Sequence, residues 1–339
     1  MDIKLNNSKV VYFENLNELI TYCGEKTSNN SHHTFIDKNV LLKFPVFKEA
    51  GMNISPLDIS EDEKNLATVS SLWNIMFEKS LQRSSIVFSI GGGVISDEVG
   101  FAASTYKRGT KLINIPTTLL SMVDAAHGGK NGINNEYGKN QIGTFMMPNE
   151  VLICSEFLNE LPEKEIKTGL IELIKAGFLK NPQLVEKVYD VNLNQIDTSL
   201  ISTAVEIKNE IVSKDFAESS ERMLLNFGHT IGHLIEVDSN YNISHGEAVA
   251  VGMLKSMKIS ENIFGLDSNV AEKFGFFLEK LELHKDYKFN SDTDLLKELL
   301  INDKKTNNTE IKYVLLKDIG EPILIDYDLM ELLNEITND

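Results

Sequence analysis

The sequence predicts two domains, a mostly parallel α/β domain over residues 1–160 and a mainly helical domain over residues 161–339. Short apolar runs with strand character alternate with helical patterns up to about residue 155. One of these runs leads directly into three glycines and then a helix. From Pro162 onward, amphipathic helical patterns dominate and strand patterns become sparse.

Four segments of the first domain have the pattern of buried strands, at residues 10–13, 33–37, 85–90 and 111–115. Asp37 and Asn39 lie at the carboxyl end of the second strand, where α/β sheets bind their ligands. Helices are predicted over residues 15–23 and 60–82. Ser60 and Glu63, at the start of the second of these helices, have the spacing of a capping box. Capping is a purely structural role, and it also explains the presence of Glu61 and Lys64.

The three glycines Gly91, Gly92 and Gly93 follow the strand at 85–90 and open a helix that contains Asp97. This arrangement brings backbone N–H groups against a pyrophosphate at a helix N-terminus. The spacing is not G-x-G-x-x-G, so a tight turn without a ligand explains the motif equally well. The strand at 111–115 ends at Thr117 and Thr118, which place two hydroxyls at the same sheet edge.

Glycines, asparagines and lysines are dense between residues 123 and 140, a run that reads as a loop. A backbone that can approach closely and a local positive charge suit an oxyanion or phosphate pocket. Lys130, Lys139 and Asn140 are the candidates, and Arg108 is a further cation near by. Each lysine taken singly is typical of a solvated surface; the cluster is what predicts a pocket.

Three of the seven histidines lie within residues 222–253. His229 and His233 are four apart in a helical pattern, and His245 opens the next helix after a short polar loop. Two helices joined by a turn can bring His245 beside His229, which predicts a divalent metal site. The alternative is that these histidines cap helices or are hydrogen-bonded in the core. Upstream, Glu172 and Lys175 form either an ordinary helical ion pair or a metal carboxylate and a catalytic ammonium.

The formal net charge of −17 argues against a nucleic-acid partner and against an anionic membrane surface. The sequence contains no run of about 18 apolar residues and no signal-peptide core at its start. Cys23 and Cys154 suggest neither a disulfide framework nor a thiolate metal site. We therefore expect a cytoplasmic protein.

Six runs of the chain, in the same order, resemble the 3-dehydroquinate synthase family of sugar-phosphate cyclases: GGGVISDEVGFAASTYKRG, INIPTTLLSMVDAAHGGKNGIN, GKNQIGTF, ELPEKEIKTGLIELIKAG, LLNFGHTIGHLIE and HGEAVAVGM. The resemblance covers nearly the whole chain. It implies a Rossmann-like NAD-binding α/β domain, an all-α metal- and substrate-binding domain and an active site in the cleft. It also implies a homodimer in which Arg108 reaches across the interface.

By motif position, the resemblance implies that Glu172, His229 and His245 hold a divalent metal, usually zinc, with cobalt as an alternative. It places NAD against Asp37, Asn39, Glu61, Lys64, Gly91, Gly92, Gly93, Asp97, Thr117, Thr118 and Lys139. The small anionic sugar-phosphate substrate would meet Asp124, Lys130, Asn140, Lys175, Lys208, Arg222, Asn226 and His233. Either Lys304 or Lys305 would join the phosphate pocket.

The reaction implied is the conversion of 3-deoxy-D-arabino-heptulosonate 7-phosphate to 3-dehydroquinate and phosphate, a lyase step of the shikimate pathway to aromatic amino acids. In the family it comprises oxidation by NAD, elimination of phosphate, re-reduction and intramolecular aldol closure. NAD is therefore regenerated in each turnover.

The chain departs from the family pattern at Ser96, Glu98, His127 and Asn131. Ser96 replaces a usual glycine, and Glu98 stands where small or apolar residues are common. The glycine of the family's GE-x-x-K is also missing from the segment between Ser60 and Lys64. His127 either touches the phosphate pocket or packs behind it.

Because of these departures, another sugar-phosphate cyclase is an alternative identity for this chain. Examples are 2-epi-5-epi-valiolone, 2-deoxy-scyllo-inosose and amino-dehydroquinate synthases. Lys208, Arg222 and Asn226 favour a substrate with a carboxylate, because an uncharged sugar would leave these groups unpaired. The aminated analogue of the substrate also has that carboxylate, so an amino-dehydroquinate synthase is still an alternative. A metal-dependent NAD alcohol or glycerol dehydrogenase and a catalytically inactive relative are the remaining alternatives.

Overall fold

The computed structural model describes residues 2–5, 8–304 and 309–337. The chain forms two compact units, one of residues 1–166 with 192–213 and the other of residues 167–191 with 214–339. The chain first passes from one unit to the other after residue 166, close to the predicted boundary at residue 160. Residues 192–213, however, cluster with the first unit, although they are distant from it in sequence. Among the described helices, none combines the length and apolar character needed to cross a membrane.

The first unit contains a seven-stranded sheet with the order β1-β2-β9-β6-β5-β3-β4. All neighbouring pairs are parallel except β1 and β2. The four predicted strands are all present, each within two residues of its predicted ends. The strands are β1 (Asp2–Leu5), β2 (Ser8–Phe13), β3 (His32–Asp37), β4 (Ile54–Leu57), β5 (Ile86–Gly91), β6 (Lys111–Pro116) and β9 (Glu150–Cys154).

Four helices lie between these strands: α1 (Leu16–Ser28), α2 (Lys38–Lys43), α3 (Leu66–Glu78) and α4 (Gly93–Thr105). The capping box predicted at Ser60 is present, because Glu63 accepts from the Ser60 backbone N–H and hydroxyl, both at 3.0 Å. It caps only a short 3-10 turn, however, and the long helix begins six residues later. Asn65 is the actual N-cap, accepting from the N–H groups of Ala67 and Thr68.

The polar run predicted as a loop is largely an antiparallel hairpin of β7 (Lys130–Asn135) and β8 (Gly138–Phe145). The expectation was wrong because glycine and asparagine are rare in strands. Pairing of Gly132 with Gly143 explains their presence here, since a Cβ on Gly143 would lie 2.5 Å from the Asn131 carbonyl oxygen.

Three helices follow in the chain, α5 (Glu163–Lys180), α6 (Pro182–Tyr189) and α7 (Thr198–Lys214). Helix α7 ends at Lys214, where a turn begins. The Asp215 carboxylate organises this turn by accepting from the backbone N–H groups of Ser219, Ser220 and Arg222. Three such local bonds compete successfully with continuation of the helix.

The second unit is mainly helical and also contains an antiparallel hairpin of two strands near the C-terminus. Its core joins α8, α9, α11 and α12 to that hairpin around Ile231, Val251, Tyr313 and Leu333. The elements are α8 (His229–Asp238), α9 (His245–Phe264), α10 (Ser268–Lys280), α11 (Thr293–Lys304), β10 (Glu310–Asp318), β11 (Glu321–Asp328) and α12 (Leu329–Thr337).

Candidate metal and dinucleotide sites

The three predicted metal ligands come together in the second unit. Glu172 lies in the middle of α5, and His229 and His245 are the first residues of α8 and α9. One ligand atom from each lies within 4.8 Å of the others. The Nε2 atoms of His229 and His245 are 3.6 and 3.7 Å from the same oxygen, Oε1 of Glu172.

Glycines allow the three helices to approach closely enough for this convergence. A Cβ on Gly252 of α9 would lie 2.0 Å from the carbonyl oxygen of Gly228, which precedes α8 in a left-handed conformation (φ 79°). A Cβ on Gly246 would lie 2.7 Å from the Thr168 backbone of α5. Larger residues at these positions would separate the helices and with them the ligand atoms.

Both imidazoles are oriented through Nδ1, which leaves Nε2 facing Glu172. His245 Nδ1 is 3.1 Å from Oε2 of Glu236, and His229 Nδ1 is 3.3 Å from the Phe227 carbonyl oxygen. An acceptor at Nδ1 fixes the tautomer with a free lone pair at Nε2, as metal-binding histidines require. Burial, together with the Lys175 charge, holds the pKa of His229 well below its usual value, so this ring is neutral at pH 7. Glu236 was not predicted from the sequence, although it follows His233 by three residues.

The Glu172 carboxylate is the part of this site that most clearly suits a cation. Its side chain is 1% exposed, and neither oxygen accepts a hydrogen bond from any described residue. The Lys175 ammonium lies 2.5 Å from Oε2 but outside hydrogen-bonding geometry. The Lys175 ammonium balances the charge at Oε2, whereas Oε1 faces the two imidazole Nε2 atoms and is placed to join them at a divalent ion. One carboxylate and two imidazoles are a typical zinc donor set with open positions.

His233, Arg222 and Asn226 lie in the same unit. The His233 ring centroid is 5.6 Å from that of His229 and 6.4 Å from that of His245. The Arg222 side chain is 2% exposed, and its Nη1 donates to the Phe216 carbonyl oxygen at 2.7 Å. Asn226 donates to Glu218 at 3.2 Å. Arg222 and Asn226 are thus held by the turn that follows α7.

In the first unit, the glycine run forms the predicted strand-to-helix turn. Gly92 is the N-cap of α4 and offers no side-chain cap, so the first-turn N–H groups are suited to an anionic ligand. Gly91 and Gly92 have no room for a side chain, since added Cβ atoms would meet Ile95 at 2.7 Å and Thr118 at 3.1 Å. Asp37 caps α2 at the carboxyl end of β3, with Asn39 exposed beside it, and Thr117 follows the end of β6.

Several residues predicted for NAD and substrate form one hydrogen-bonded network. The Lys64 ammonium, 3% exposed, lies 2.6 Å from both Asp97 Oδ2 and Asn140 Oδ1. Asn134 joins Glu61 to this network, donating to its Oε1 at 2.8 Å and accepting from the Asn140 N–H at 2.8 Å. Asn134 was not predicted from the sequence, because its contacts come from residues up to 73 positions away.

Asp124 and Lys208 are also in contact, as the Lys208 ammonium donates to Oδ1 at 2.5 Å and to the backbone oxygen of Asp124 at 2.6 Å. Lys130 is the exposed first residue of β7, and Lys139 is the second residue of β8. Arg108 is exposed at the turn after α4, with φ at 65°. Lys304 ends α11 with its side chain undescribed, and Lys305 lies outside the described residues.

Comparison with known proteins identifies the family. Residues 55–168 match the family description "3-dehydroquinate synthase N-terminal", and residues 169–306 match "3-dehydroquinate synthase C-terminal". The chain belongs to the 3-dehydroquinate synthase family. It is 38% identical to the 3-dehydroquinate synthase of Campylobacter jejuni strain 81116 over 335 residues, which cover 96% of this chain and 95% of that protein. It is 42% identical to that of Thermococcus kodakarensis, over 82% of this chain and 80% of that protein.

Solved structures of sugar-phosphate cyclases share the fold at low sequence identity. A 2-deoxy-scyllo-inosose synthase with carbaglucose-6-phosphate, NAD+ and Co2+ is 23% identical and covers both chains completely, with a TM-score of 0.87. A 2-epi-5-epi-valiolone synthase from Streptomyces hygroscopicus with NAD+ and Zn2+ gives 0.82 at 23% identity, covering 99% and 98%. A probable glycerol dehydrogenase from Sinorhizobium meliloti gives only 0.65 at 15% identity, covering 97% and 95%. The predicted 3-dehydroquinate synthase fold and NAD- and metal-dependent cyclising enzyme class are confirmed.

Two departures from the 3-dehydroquinate synthase pattern are explained by packing in the first unit. His127 is 3% exposed, and its Nε2 lies 2.9 Å from the Met122 carbonyl oxygen. Burial lowers its pKa to about 4, so the ring is neutral at pH 7 and donates to that oxygen. Asn131 donates to the carbonyl oxygens of Gly129 and Met146 and fills the space that Gly100 leaves. Both residues therefore support the backbone around Asp124 and Lys130.

Proposed function

We propose that the chain converts 3-deoxy-D-arabino-heptulosonate 7-phosphate to 3-dehydroquinate and phosphate, a lyase reaction. The observation that carries this proposal is the convergence of Glu172, His229 and His245, whose ligand atoms lie within 4.8 Å of one another. Family membership at 38–42% identity gives that geometry its chemical context. The other sugar-phosphate cyclases are only 23% identical to this chain, which shows a shared fold and not a shared substrate. The proposed substrate is therefore inferred from the residues of this chain.

The three ligands of the second unit hold a divalent metal, and the donor set favours zinc over cobalt. When bound, such an ion polarises substrate oxygens as a Lewis acid. Glu236 and the Phe227 carbonyl keep the two imidazoles directed at it. Lys175, buried beside Glu172, places an ammonium close to the reacting oxygens and orients them by hydrogen bonding.

The first unit binds NAD, which supplies reversible hydride transfer. The N-terminus of α4 receives the pyrophosphate through its backbone N–H groups. The network of Glu61, Lys64 and Asp97 fixes the position of the cofactor beside that turn. Asp37, Asn39, Thr117, Thr118 and Lys139 complete the set assigned to NAD.

Positively charged and amide side chains from both units are assigned to the acidic substrate. Arg222, with Asn226, offers a planar guanidinium of the kind that binds a carboxylate in a bidentate way. Lys208, held by Asp124, adds a second cation. Lys130, Asn140 and His233 complete the assignment. A substrate without a carboxylate would leave this set without its anion, which favours the dehydroquinate reaction over the valiolone and inosose reactions.

We also propose a homodimer in which the exposed Arg108 contacts the partner subunit. Its positive φ of 65° is strained for a residue with a side chain, and a contact with the partner subunit would offset that strain. Light scattering at several concentrations tests the dimer, and Arg108→Ala should weaken it. A monomer at all concentrations would contradict this part of the proposal.

The reaction is tested by incubating zinc-loaded protein with 3-deoxy-D-arabino-heptulosonate 7-phosphate and sub-stoichiometric NAD. Released phosphate, absorbance at the NADH band and the carbocyclic product are followed together. Many phosphates per NAD without lasting NADH, and a 3-dehydroquinate product, are expected. Removal of the metal by a chelator should abolish the reaction, and zinc should restore it.

Each alternative gives a different result in this assay. Release of phosphate only from sedoheptulose 7-phosphate or from the aminated substrate would identify another cyclase. Steady NADH formation from simple polyols would identify a dehydrogenase. Metal and NAD binding without turnover of any of these compounds would identify an inactive relative.

A further inference from the structure

Glu98 is a buried carboxyl group to which neither the fold nor the family pattern assigns a role. It lies in α4 directly after Asp97, and its side chain is 0% exposed. Its Oε1 accepts a hydrogen bond from the Asn65 backbone N–H at 2.9 Å. Its Oε2 is buried and accepts no hydrogen bond from any described residue. A carboxyl group is costly at such a position, because burial without full hydrogen bonding disfavours it.

The hydrogen bond from Asn65 fixes the peptide group that joins Asn65 to Lys64. The carbonyl oxygen of the same peptide group accepts from the Asn134 N–H at 2.8 Å. The peptide plane is thus held at both ends, by α4 on one side and by the β7–β8 hairpin on the other. With this plane fixed, the Lys64 side chain leaves the backbone in the direction that places its ammonium between Asp97 and Asn140.

We propose that Glu98 is a positioning residue of the dinucleotide site, which holds the Lys64–Asn65 peptide so that the Lys64 ammonium is presented to the bound cofactor. This inference rests on the proposed function, in which Lys64 and Asp97 bind NAD. Glu98 contacts neither cofactor nor substrate itself. It acts through Lys64, and a small or apolar residue at position 98 would leave the Asn65 N–H without this acceptor.

Charges around Glu98 make the arrangement sensitive to pH. Burial raises the pKa of Glu98 to about 7, and the Asp97 and Glu61 charges add to this effect, while the Asn65 N–H and the Lys64 ammonium oppose it. As the pH rises through 7, Glu98 becomes negatively charged beside Asp97, Glu61 and the Lys64 ammonium. The added negative charge repels the anionic pyrophosphate, so NAD affinity decreases.

Binding of NAD is measured by calorimetry between pH 6 and pH 8.5 for the metal-loaded wild-type protein and for Glu98→Gln, Glu98→Leu and Glu78→Gln. We expect the wild-type dissociation constant to rise on the order of threefold to tenfold across this range. Glu98→Gln keeps an acceptor for Asn65 but cannot ionise, so its affinity should stay flat and equal the wild-type value at pH 6. Glu98→Leu should bind NAD on the order of tenfold more weakly at every pH. Glu78→Gln removes an exposed carboxylate of α3 and should follow the wild type.

Two further readouts separate this role from a general loss of structure. Thermal denaturation shows whether each variant is folded, and the KM for the sugar phosphate at saturating NAD should change less than the dissociation constant of NAD does. A pH dependence in Glu98→Gln equal to that of the wild type, or normal NAD affinity in Glu98→Leu, would overturn the inference alone. Failure of the wild-type protein to bind NAD at any pH would overturn both the inference and the proposed NAD site.

Discussion

His245 and Glu236 are joined by a hydrogen bond of 3.1 Å between Nδ1 and Oε2, nine residues apart in sequence. Burial alone would lower the pKa of His245, but the Glu236 hydrogen bond and charge, with Glu172, raise it. The carboxylate therefore increases the basicity of the imidazole and sets its tautomer. Since Nε2 faces Glu172, this arrangement suits the proposed role of His245 as a metal ligand.

Replacement of Glu236 should weaken metal binding without removing a ligand. We expect Glu236→Ala to lower zinc affinity about 10–100-fold, because His245 loses the partner that fixes its ring. Glu236→Gln retains an acceptor oxygen and should lose less. Competition with a chromophoric chelator measures the affinity, and Glu261→Gln, an exposed change on α9, is the control. Equal zinc affinity in Glu236→Ala and the wild type would contradict the assigned role.

Substitution of Gly252 should disturb the metal site through helix packing. The added Cβ of Gly252→Ala would lie 2.0 Å from the Gly228 carbonyl oxygen, so α8 and α9 must separate. We expect a loss of about 1–3 kcal/mol or more in the free energy of unfolding, together with weaker zinc binding. Gly275→Ala in α10 is the matched control, since its Cβ would meet only Lys285 Cδ at 3.7 Å. That variant should be neutral or stabilised by up to about 1 kcal/mol. Similar denaturation curves for both variants would refute the packing argument.

The contribution of Asp238 to stability should depend on pH. Asp238 accepts from Tyr287 Oη at 2.6 Å and from the Asn290 and Ser291 N–H groups, both at 2.8 Å. Burial alone would raise its pKa, but these donors lower it below the usual 3.8. Its stabilising effect is therefore present above pH 3.8 and is lost as the pH falls through the lower folded-state value.

We therefore expect Asp238→Ala to lower the free energy of unfolding by about 1–3 kcal/mol at pH 7. The difference from the wild type should shrink below about pH 4. Urea denaturation at several pH values measures it, with the exposed change Asp190→Asn as control. A difference that is constant from pH 7 to pH 3 would show that the hydrogen bonds do not depend on the charge.

Replacement of Arg222 should separate substrate binding from cofactor binding. We expect Arg222→Ala to lower kcat/KM for the sugar phosphate on the order of a hundredfold, because the substrate carboxylate loses a buried cation. NAD affinity should change by less than about twofold. Arg222→Lys keeps the charge without the bidentate geometry and should be intermediate. Equal losses of NAD and substrate binding would refute the assigned role.

Local patterns in the sequence predicted much of this protein. Four strands of the first unit followed from apolar runs, and the turn at Gly91–Gly93 followed from three glycines between a strand and a helix. The histidine spacing predicted that His229 and His233 share one helix and that His245 opens the next. These features depend on residues close together in the chain, where propensity and periodicity act directly. The ligand and cofactor roles came from the family motifs and stay predictions.

Tertiary structure decided how those residues are held. Nothing local to Glu98 or Asn134 indicates that they clamp the peptide beside Lys64, since the partners come from elements 33 and 70 positions away. The hairpin of β7 and β8 was hidden by glycines and asparagines, whose presence only the strand pairing explains. The position of the buried Glu172 carboxylate beside two imidazoles likewise appears only when three helices meet. The sequence thus determined the chemical groups, whereas long-range packing determined their orientation and charge state, because burial and hydrogen bonding arise only in the folded chain.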